Sequence, residues 1–272
     1  MDWLGLAGKV AVVTGGGSGI GKACCAGLAE VGVHVVVADV NEANGKEVVN
    51  ELKGEHKGEY LFVKVDVTDR QSVESLVEAV LKTYRRLDVF VNNAGINIPR
   101  LLVDPAGKEE LNEDIWEKVV SINQKGVYLC AQVAARRMLR SREGGVIINM
   151  ASEAGIEGSE GQSVYAATKA AIYALNRSWA KELGKYNIRV VGVAPGILEA
   201  TPLRSEEYER ALAYTRGITV EQLRKKYEMI TIPLGRAGKL SEVANVVCFL
   251  ASERASYVHG TVINVSGGKS RA

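Results

Sequence analysis

The apolar run Lys9-Val10-Ala11-Val12-Val13 leads without a break into Thr14-Gly15-Gly16-Gly17-Ser18-Gly19-Ile20-Gly21 and then into a helical pattern. A β-branched run that ends in glycines and passes into a helix opens a strand–turn–helix unit. Glycines allow the tight turn and the close approach of backbone N–H groups to a pyrophosphate, and the helix amino terminus adds a favourable partial charge. Gly15, Gly17, Ser18, Gly19, Ile20 and Gly21 are therefore candidate phosphate-cradle residues. The spacing, Gly-x3-Gly-x-Gly, differs from the GxGxxG string, and a glycine-rich turn alone is also met where no nucleotide binds.

The next apolar run, 33–38, ends at Asp39, 20 residues beyond Gly19. A carboxylate there accepts hydrogen bonds from the adenosine ribose and repels a 2′-phosphate, so NAD is expected rather than NADP. No arginine or lysine stands beside Asp39 or just before Gly19 to offset that repulsion. A turn or cap role for Asp39 is the plainer alternative.

Further strands are expected at 60–65, 87–91, 145–149, 188–194 and 261–264, with helices at 19–31, 42–52, 70–84, 111–140, 162–184 and 241–251. The strands are continuous apolar runs, as required where helices cover both faces of a sheet. The expectation is one α/β domain spanning 1–272, a Rossmann-type doubly wound parallel sheet of about seven strands. One stretch breaks the rhythm: 199–230 is polar, rich in tyrosine and arginine, and inserted before the last helix, which makes it a candidate substrate lid.

A formal charge of +2 is too small for a nucleic-acid-binding face, and 47% hydrophobic with 24% charged residues excludes a disordered chain. The four cysteines show no CxxC spacing and are expected as core residues; the three histidines show no ligand spacing, so no metal is expected. The first ten residues, MDWLGLAGKV, fit neither a signal peptide nor a membrane span, so a soluble, cytoplasmic protein without membrane or nucleic-acid partners is expected.

Asp66-Val67 and Asn92-Asn93-Ala94-Gly95 fall at the carboxyl ends of expected strands, where doubly wound sheets bind ligands, and Ser152 follows the fifth strand on the same edge. Tyr165 and Lys169 stand at i and i+4 of the next helix. A lysine ammonium there is expected to lower the tyrosine pKa from about 10, while a serine hydroxyl holds the reacting oxygen. Alone, such a pair is more often a solvated or packing pair.

The joint occurrence of TGGGSGIG, NNAG, Ser152, Tyr165-x3-Lys169 and Pro195-Gly196 resembles the short-chain dehydrogenase/reductase family over nearly the whole chain. The resemblance implies Tyr165 as catalytic acid/base, Lys169 on the nicotinamide ribose, Ser152 polarising the substrate oxygen and Asn123 supporting a proton-relay water. It implies further that Asp66 and Val67 contact adenine, that Asn93, Ala94 and Gly95 line the cofactor, and that Pro195, Gly196 and Ile197 flank the nicotinamide. A homotetramer built on the two long helices is implied in the same way. Two positions depart from the family pattern: Ala200 stands where a threonine is common, with Thr201 next to it, and the late motif reads Val265-Ser266-Gly267-Gly268 in place of VDGG.

Longer strings, among them NNAGINIPRLLVDP, RSWAKELGKY and VVGVAPGILEAT, resemble one branch of that family, the sorbitol-6-phosphate 2-dehydrogenases of Gram-positive bacteria. This implies a sugar or polyol phosphate as the small-molecule partner. A phosphate calls for cations, and Arg100, Arg204, Arg216, Lys269 and Arg271 are candidates, with Asn97, Glu153 and Glu157 for hydroxyls. The alternatives are a short-chain reductase for an unphosphorylated polyol, a sugar or a 3-oxoacyl thioester, and a cofactor sensor without catalysis.

Overall fold

A computed structural model describes residues 2–228 and 232–270. Seven strands form one parallel sheet in the order β3-β2-β1-β4-β5-β6-β7: β1 (Val10–Thr14), β2 (His34–Asp39), β3 (Tyr60–Lys64), β4 (Val89–Asn92), β5 (Gly145–Met150), β6 (Ile188–Pro195) and β7 (Val262–Val265). The chain builds outward from β1 through β2 to β3, then returns to β1's other side with β4. Between the carboxyl ends of β1 and β4 lies the crevice where doubly wound sheets bind ligands.

Side chains alternate across a strand, and here both faces are buried. On one face Ala11, Val13, Val35, Val37, Val91 and Ile148 pack with Cys24, Cys25 and Leu28 of helix α1 (Gly19–Glu30) and with Val243 and Val247 of helix α10 (Leu240–Ala251). On the other, Val10, Val12, Val36, Phe90 and Ile147 pack with Val73, Leu76 and Val77 of α3 (Arg70–Tyr84) and with Cys130, Ala134 and Met138 of α5 (Gly126–Ser141). All four cysteines are buried and free. Helix α2 (Glu42–Glu55), capped by Asn41, covers the β2–β3 edge.

The helix expected over 111–140 is not uniform. It runs as α4 (Glu113–Val120), a π-helical turn (Ser121–Lys125) and α5, with Asn123 in the widened turn. Such turns recur at functional sites. After β5, the short α6 (Ala154–Glu157) leads to α7 (Ser163–Leu183). A chain of buried amides ties α7 to the sheet: Asn92 donates to Asn149 at 2.7 Å and Asn149 to Asn176 of α7 at 2.8 Å.

The polar insertion read as a candidate lid is largely helical. It forms α8 (Glu206–Thr215) and α9 (Val220–Glu228), packed on each other through Leu212, Ala213 and Leu223 with Tyr208 and Tyr227 around them. Leu198, just before the insertion, bridges Gly238, which forms a neck. No helix among the described residues is long and apolar enough to cross a membrane.

Candidate active site

A cleft of about 1340 Å³ opens over the carboxyl ends of β1, β4, β5 and β6 and reaches under the α8–α9 pair. At one end lies the glycine turn. Ser18 caps α1 without a side-chain hydrogen bond to the first turn, which leaves the helix amino terminus to be satisfied from the cleft. Gly19 has φ +52°, and a Cβ there would project toward Thr201 at 3.4 Å, into the space a ligand on the helix terminus would need. Gly21 faces inward, where a Cβ would meet the Gly15 carbonyl oxygen at an impossible 2.0 Å, so its role is packing.

Asp39 is held from two sides: its Oδ2 accepts the Gly17 N–H at 2.8 Å and its Oδ1 the Asn41 N–H at 2.9 Å. The carboxylate borders the cleft, whereas Gly17 supports it from behind. Asp66, Val67, Asn93, Ala94 and Gly95 continue the wall. Asp66 Oδ1 accepts from the Thr68 N–H and hydroxyl at 2.8 and 2.7 Å. Asn93 spends its side-chain amide on the glycine turn, donating to the Thr14 and Gly15 carbonyls at 3.0 and 3.2 Å. A cradle of glycines, an open helix terminus and an oriented carboxylate at the β2 end fit a dinucleotide.

Ser152, Tyr165 and Lys169 meet in the middle of the cleft, beside Pro195, Gly196 and Ile197. Lys169 is 4% exposed, donates to the Met150 carbonyl at 2.7 Å, and burial pulls its pKa down to about 8. For Tyr165 the expected lowering is reversed. Burial raises its pKa, the hydrogen bond with Ser152 draws it back, and the Glu153 charge adds to the rise. Lys169 stands 5.8 Å from the ring centre. Desolvation of the phenolate is the largest cause and decides the direction.

Asn123 sits beneath this group, fully buried. Its Oδ1 accepts the Ile96 N–H and its Nδ2 donates to the Ile96 carbonyl, both at 2.8 Å. Its side chain thus fixes the loop after β4, while Ser121 and Ile122 of the same turn border the cleft.

The substrate candidates divide. Asn97, Glu153, Glu157, Arg204, Arg216 and Lys269 line the cleft. Arg100 does not: it pairs with Glu109 at 2.7 Å and donates to the Pro99 carbonyl, away from the cleft wall, which corrects its assignment. Arg271 lies outside the described residues. Lys269 binds Glu153 at 2.5 Å and faces Glu157 at 3.9 Å. The Oδ1 of Asn97 and the Oε2 of Glu153 are buried without a protein partner. Sequence reading missed Tyr208, Tyr227 and Leu203, which also line the cleft together with Thr201; the tyrosine-rich composition of the insertion was the only signal of the two tyrosines. Among the described residues no three His, Cys, Asp or Glu side chains are grouped to hold a metal ion.

The profile described as short chain dehydrogenase matches residues 9–211. The chain belongs to the short-chain dehydrogenase family. It is an oxidoreductase, and members of the family use NAD(H) or NADP(H). Among curated short-chain dehydrogenases it is 54% identical to a sorbitol-6-phosphate 2-dehydrogenase of Klebsiella pneumoniae, over 99% of this chain and 98% of that one. It is 40% identical to a 3-oxoacyl-[acyl-carrier-protein] reductase of Thermotoga maritima, over 97% and 98%. Among solved structures, a short-chain dehydrogenase/reductase from Mycobacterium marinum superposes with a TM-score of 0.86 at 31% identity, covering 100% of this chain and 99% of that one.

Proposed function

We propose that the protein interconverts D-sorbitol 6-phosphate and D-fructose 6-phosphate with NAD, by hydride transfer at C2. What carries the reading is the meeting of Ser152, Tyr165 and Lys169 in one cleft of a chain 54% identical, end to end, to the Klebsiella enzyme.

Gly15, Ser18, Gly19 and Ile20 would hold the pyrophosphate, with Gly17 bracing Asp39 and Gly21 letting the turn pack closely; Asp39 would hold the adenosine ribose, and Asp66 and Val67 the adenine, while Asn93, Ala94, Gly95, Pro195, Gly196 and Ile197 flank the nicotinamide side. When bound, the nicotinamide supplies or accepts the hydride. Tyr165 gives its phenolic proton to the carbonyl oxygen during reduction and takes it back during oxidation, and Ser152 donates a hydrogen bond to that oxygen. Burial keeps Tyr165 protonated at neutral pH, as proton donation requires. Lys169 holds the nicotinamide ribose and offsets the phenolate charge formed when the proton leaves. Asn123 holds the loop over which a relay water would sit.

Asn97, Glu153 and Glu157 offer acceptors to the polyol hydroxyls, two of them through atoms with no protein partner. The chain acts as one domain, spanning 1–272, in which segment 199–230 closes over the substrate as a lid; the Leu198–Gly238 neck and the separate α8–α9 core support a unit that moves as a whole. Residues 229 and 230 lie outside the described residues. Exposed Trp116 and Tyr128, on α4 and α5, support a homotetramer, and a sugar-phosphate substrate supports a cytoplasmic location.

A second reading, reduction of a 3-oxoacyl thioester, is favoured by the Thermotoga relative and by apolar Leu198, Leu203 and Leu212 in the cleft. NADH oxidation with fructose 6-phosphate, fructose and acetoacetyl-CoA separates the readings. Preference for fructose 6-phosphate is expected; faster turnover of the thioester would overturn the assignment.

A further inference from the structure

The cleft is charged unevenly. On the side formed by α6 and the segment after β7, one ammonium, Lys269, faces two carboxylates, Glu153 and Glu157. An incoming phosphate there would have to displace a 2.5 Å contact and then sit beside two negative charges. That side suits hydroxyl donors.

On the α8–α9 side the balance is opposite. Three arginines, Arg204, Arg216 and Arg224, stand around the buried carboxylate of Glu209, which is 6% exposed, and Glu206 and Glu221 also act on Arg224. Arg224 takes most of Glu209, through Nε at 2.8 Å and Nη2 at 2.7 Å, and leaves Arg204 a single 3.3 Å contact. The Arg204 guanidinium lies over the Tyr227 ring, 3.9 Å from its centre, and its Nε is buried with no hydrogen-bond partner. Arg216 donates to Ser159 at 3.2 Å, and among the described residues no carboxylate lies within ion-pair distance of it. Both arginines line the cleft, and the charges of both are felt at Tyr227. Tyr208, between this cluster and Tyr165, accepts a hydrogen bond from Gln162 at 2.7 Å, which leaves its own proton free to be given to a ligand.

We propose that Arg204 and Arg216 form the subsite for the phosphate monoester of the substrate, and that Lys269 takes no part in binding it. The guanidinium of Arg204, held over Tyr227, keeps one donor unpaired, and Arg216 supplies an uncompensated charge, the combination that recognises a phosphate by fork and field together. Because both residues belong to the insertion, the phosphate would bind to the unit that covers the substrate, and substrates lacking it would leave that unit unengaged. This inference rests on the sugar-phosphate reading.

The test is the ratio of kcat/KM for fructose 6-phosphate to that for fructose, measured for wild type, R216Q, R204Q and K269M, with NADH fluorescence titration to show that each variant is folded. R216Q and R204Q should each lower the ratio by about 10- to 100-fold, the range for a lost hydrogen bond to a charged group. K269M should move it by less than about threefold. R216K, which keeps the charge and loses the fork, should fall between. Inorganic phosphate should compete with fructose 6-phosphate, with a Ki at least about tenfold weaker in R216Q. A ratio retained in both arginine variants, or lost only in K269M, would overturn the subsite while leaving the substrate reading intact. A wild type indifferent to the phosphate would overturn the substrate reading and the subsite together.

Discussion

The Lys169 ammonium lies 5.8 Å from the centre of the Tyr165 ring and is moored to the Met150 carbonyl at 2.7 Å. The lysine is fixed by the end of β5, without a carboxylate, so its charge is available to whatever negative charge forms beside it. Burial disfavours the charged form of each residue, lowering Lys169 to about 8 and raising Tyr165. The two ionised forms stabilise one another once the phenol gives up its proton. A site of this kind stays protonated at rest and ionises during turnover.

Tyr165→Phe removes the transferable proton and leaves the ring in place. We expect kcat to fall by about 10²- to 10⁴-fold. The dissociation constant for NADH, read by fluorescence, should change by less than about twofold. Turnover close to wild type in this variant would remove Tyr165 from the chemistry.

Lys169→Met tests the buried charge. Between about 8 and the ordinary lysine value of 10.5 the unfolded chain holds a proton that the folded chain lacks, so folding stability gains from this residue as pH rises through that window. Below pH 8 the folded protein carries the penalty in full, roughly 3 kcal/mol before the contact to Met150 is counted. Without cofactor, the Met variant should therefore unfold at higher urea than wild type at pH 7, and the advantage should shrink toward pH 10. An advantage independent of pH would show that the ammonium is not desolvated as the geometry implies.

Much of this arrangement was legible in the sequence, for reasons that are local. The glycine turn, Asp39 and the Tyr165–Lys169 spacing are each fixed by a strand end or a helix turn, and continuous apolar runs mark strands buried on both faces, so the seven-stranded doubly wound sheet follows. What was not legible depends on contacts between distant segments. Arg100 and Lys269 are equally cationic in the sequence, yet one is tied to Glu109 outside the cleft and the other to Glu153 inside it. The direction of the Tyr165 shift depends on how deeply the fold buries the phenol, which spacing along a helix does not report. The π-helical turn at Asn123 and the Asn92–Asn149–Asn176 chain have no periodic signature either. The helices α8 and α9 hide in a polar stretch because they bury only a narrow apolar seam against each other.

Asp39→Ala addresses cofactor choice. The carboxylate is oriented by the Gly17 and Asn41 N–H groups, so its two oxygens face the β2 end of the cleft in a fixed pose. If NAD is the cofactor, removing it deletes acceptors for ribose hydroxyls and the repulsion of a 2′-phosphate. The ratio of kcat/KM for NAD to that for NADP should fall by about 10- to 100-fold. An unchanged ratio would place the selectivity elsewhere in the wall.

Asp104→Asn should loosen the insertion. Asp104 organises the loop after β4 by accepting the Ala106 N–H at 3.0 Å and the Lys108 and Glu109 N–H groups at 2.8 Å each. It also accepts the Tyr214 hydroxyl of α8 at 3.0 and 3.1 Å, joining segments 110 residues apart. These donors hold its pKa at about 2, so the latch is intact above the ordinary carboxylate value of 3.8 and is lost only as pH falls through about 2. Asparagine keeps the shape but turns one acceptor into a donor, which must then face either a backbone N–H or the phenol. The expected result at pH 7 is faster protease cleavage within α8 and α9 and a raised KM for the substrate, with NADH binding unaltered because Asp104 lies outside the dinucleotide wall. Cleavage at the wild-type rate would show that α8 is held by Gln162 and Ser159 instead, through their contacts to Tyr208 and Arg216.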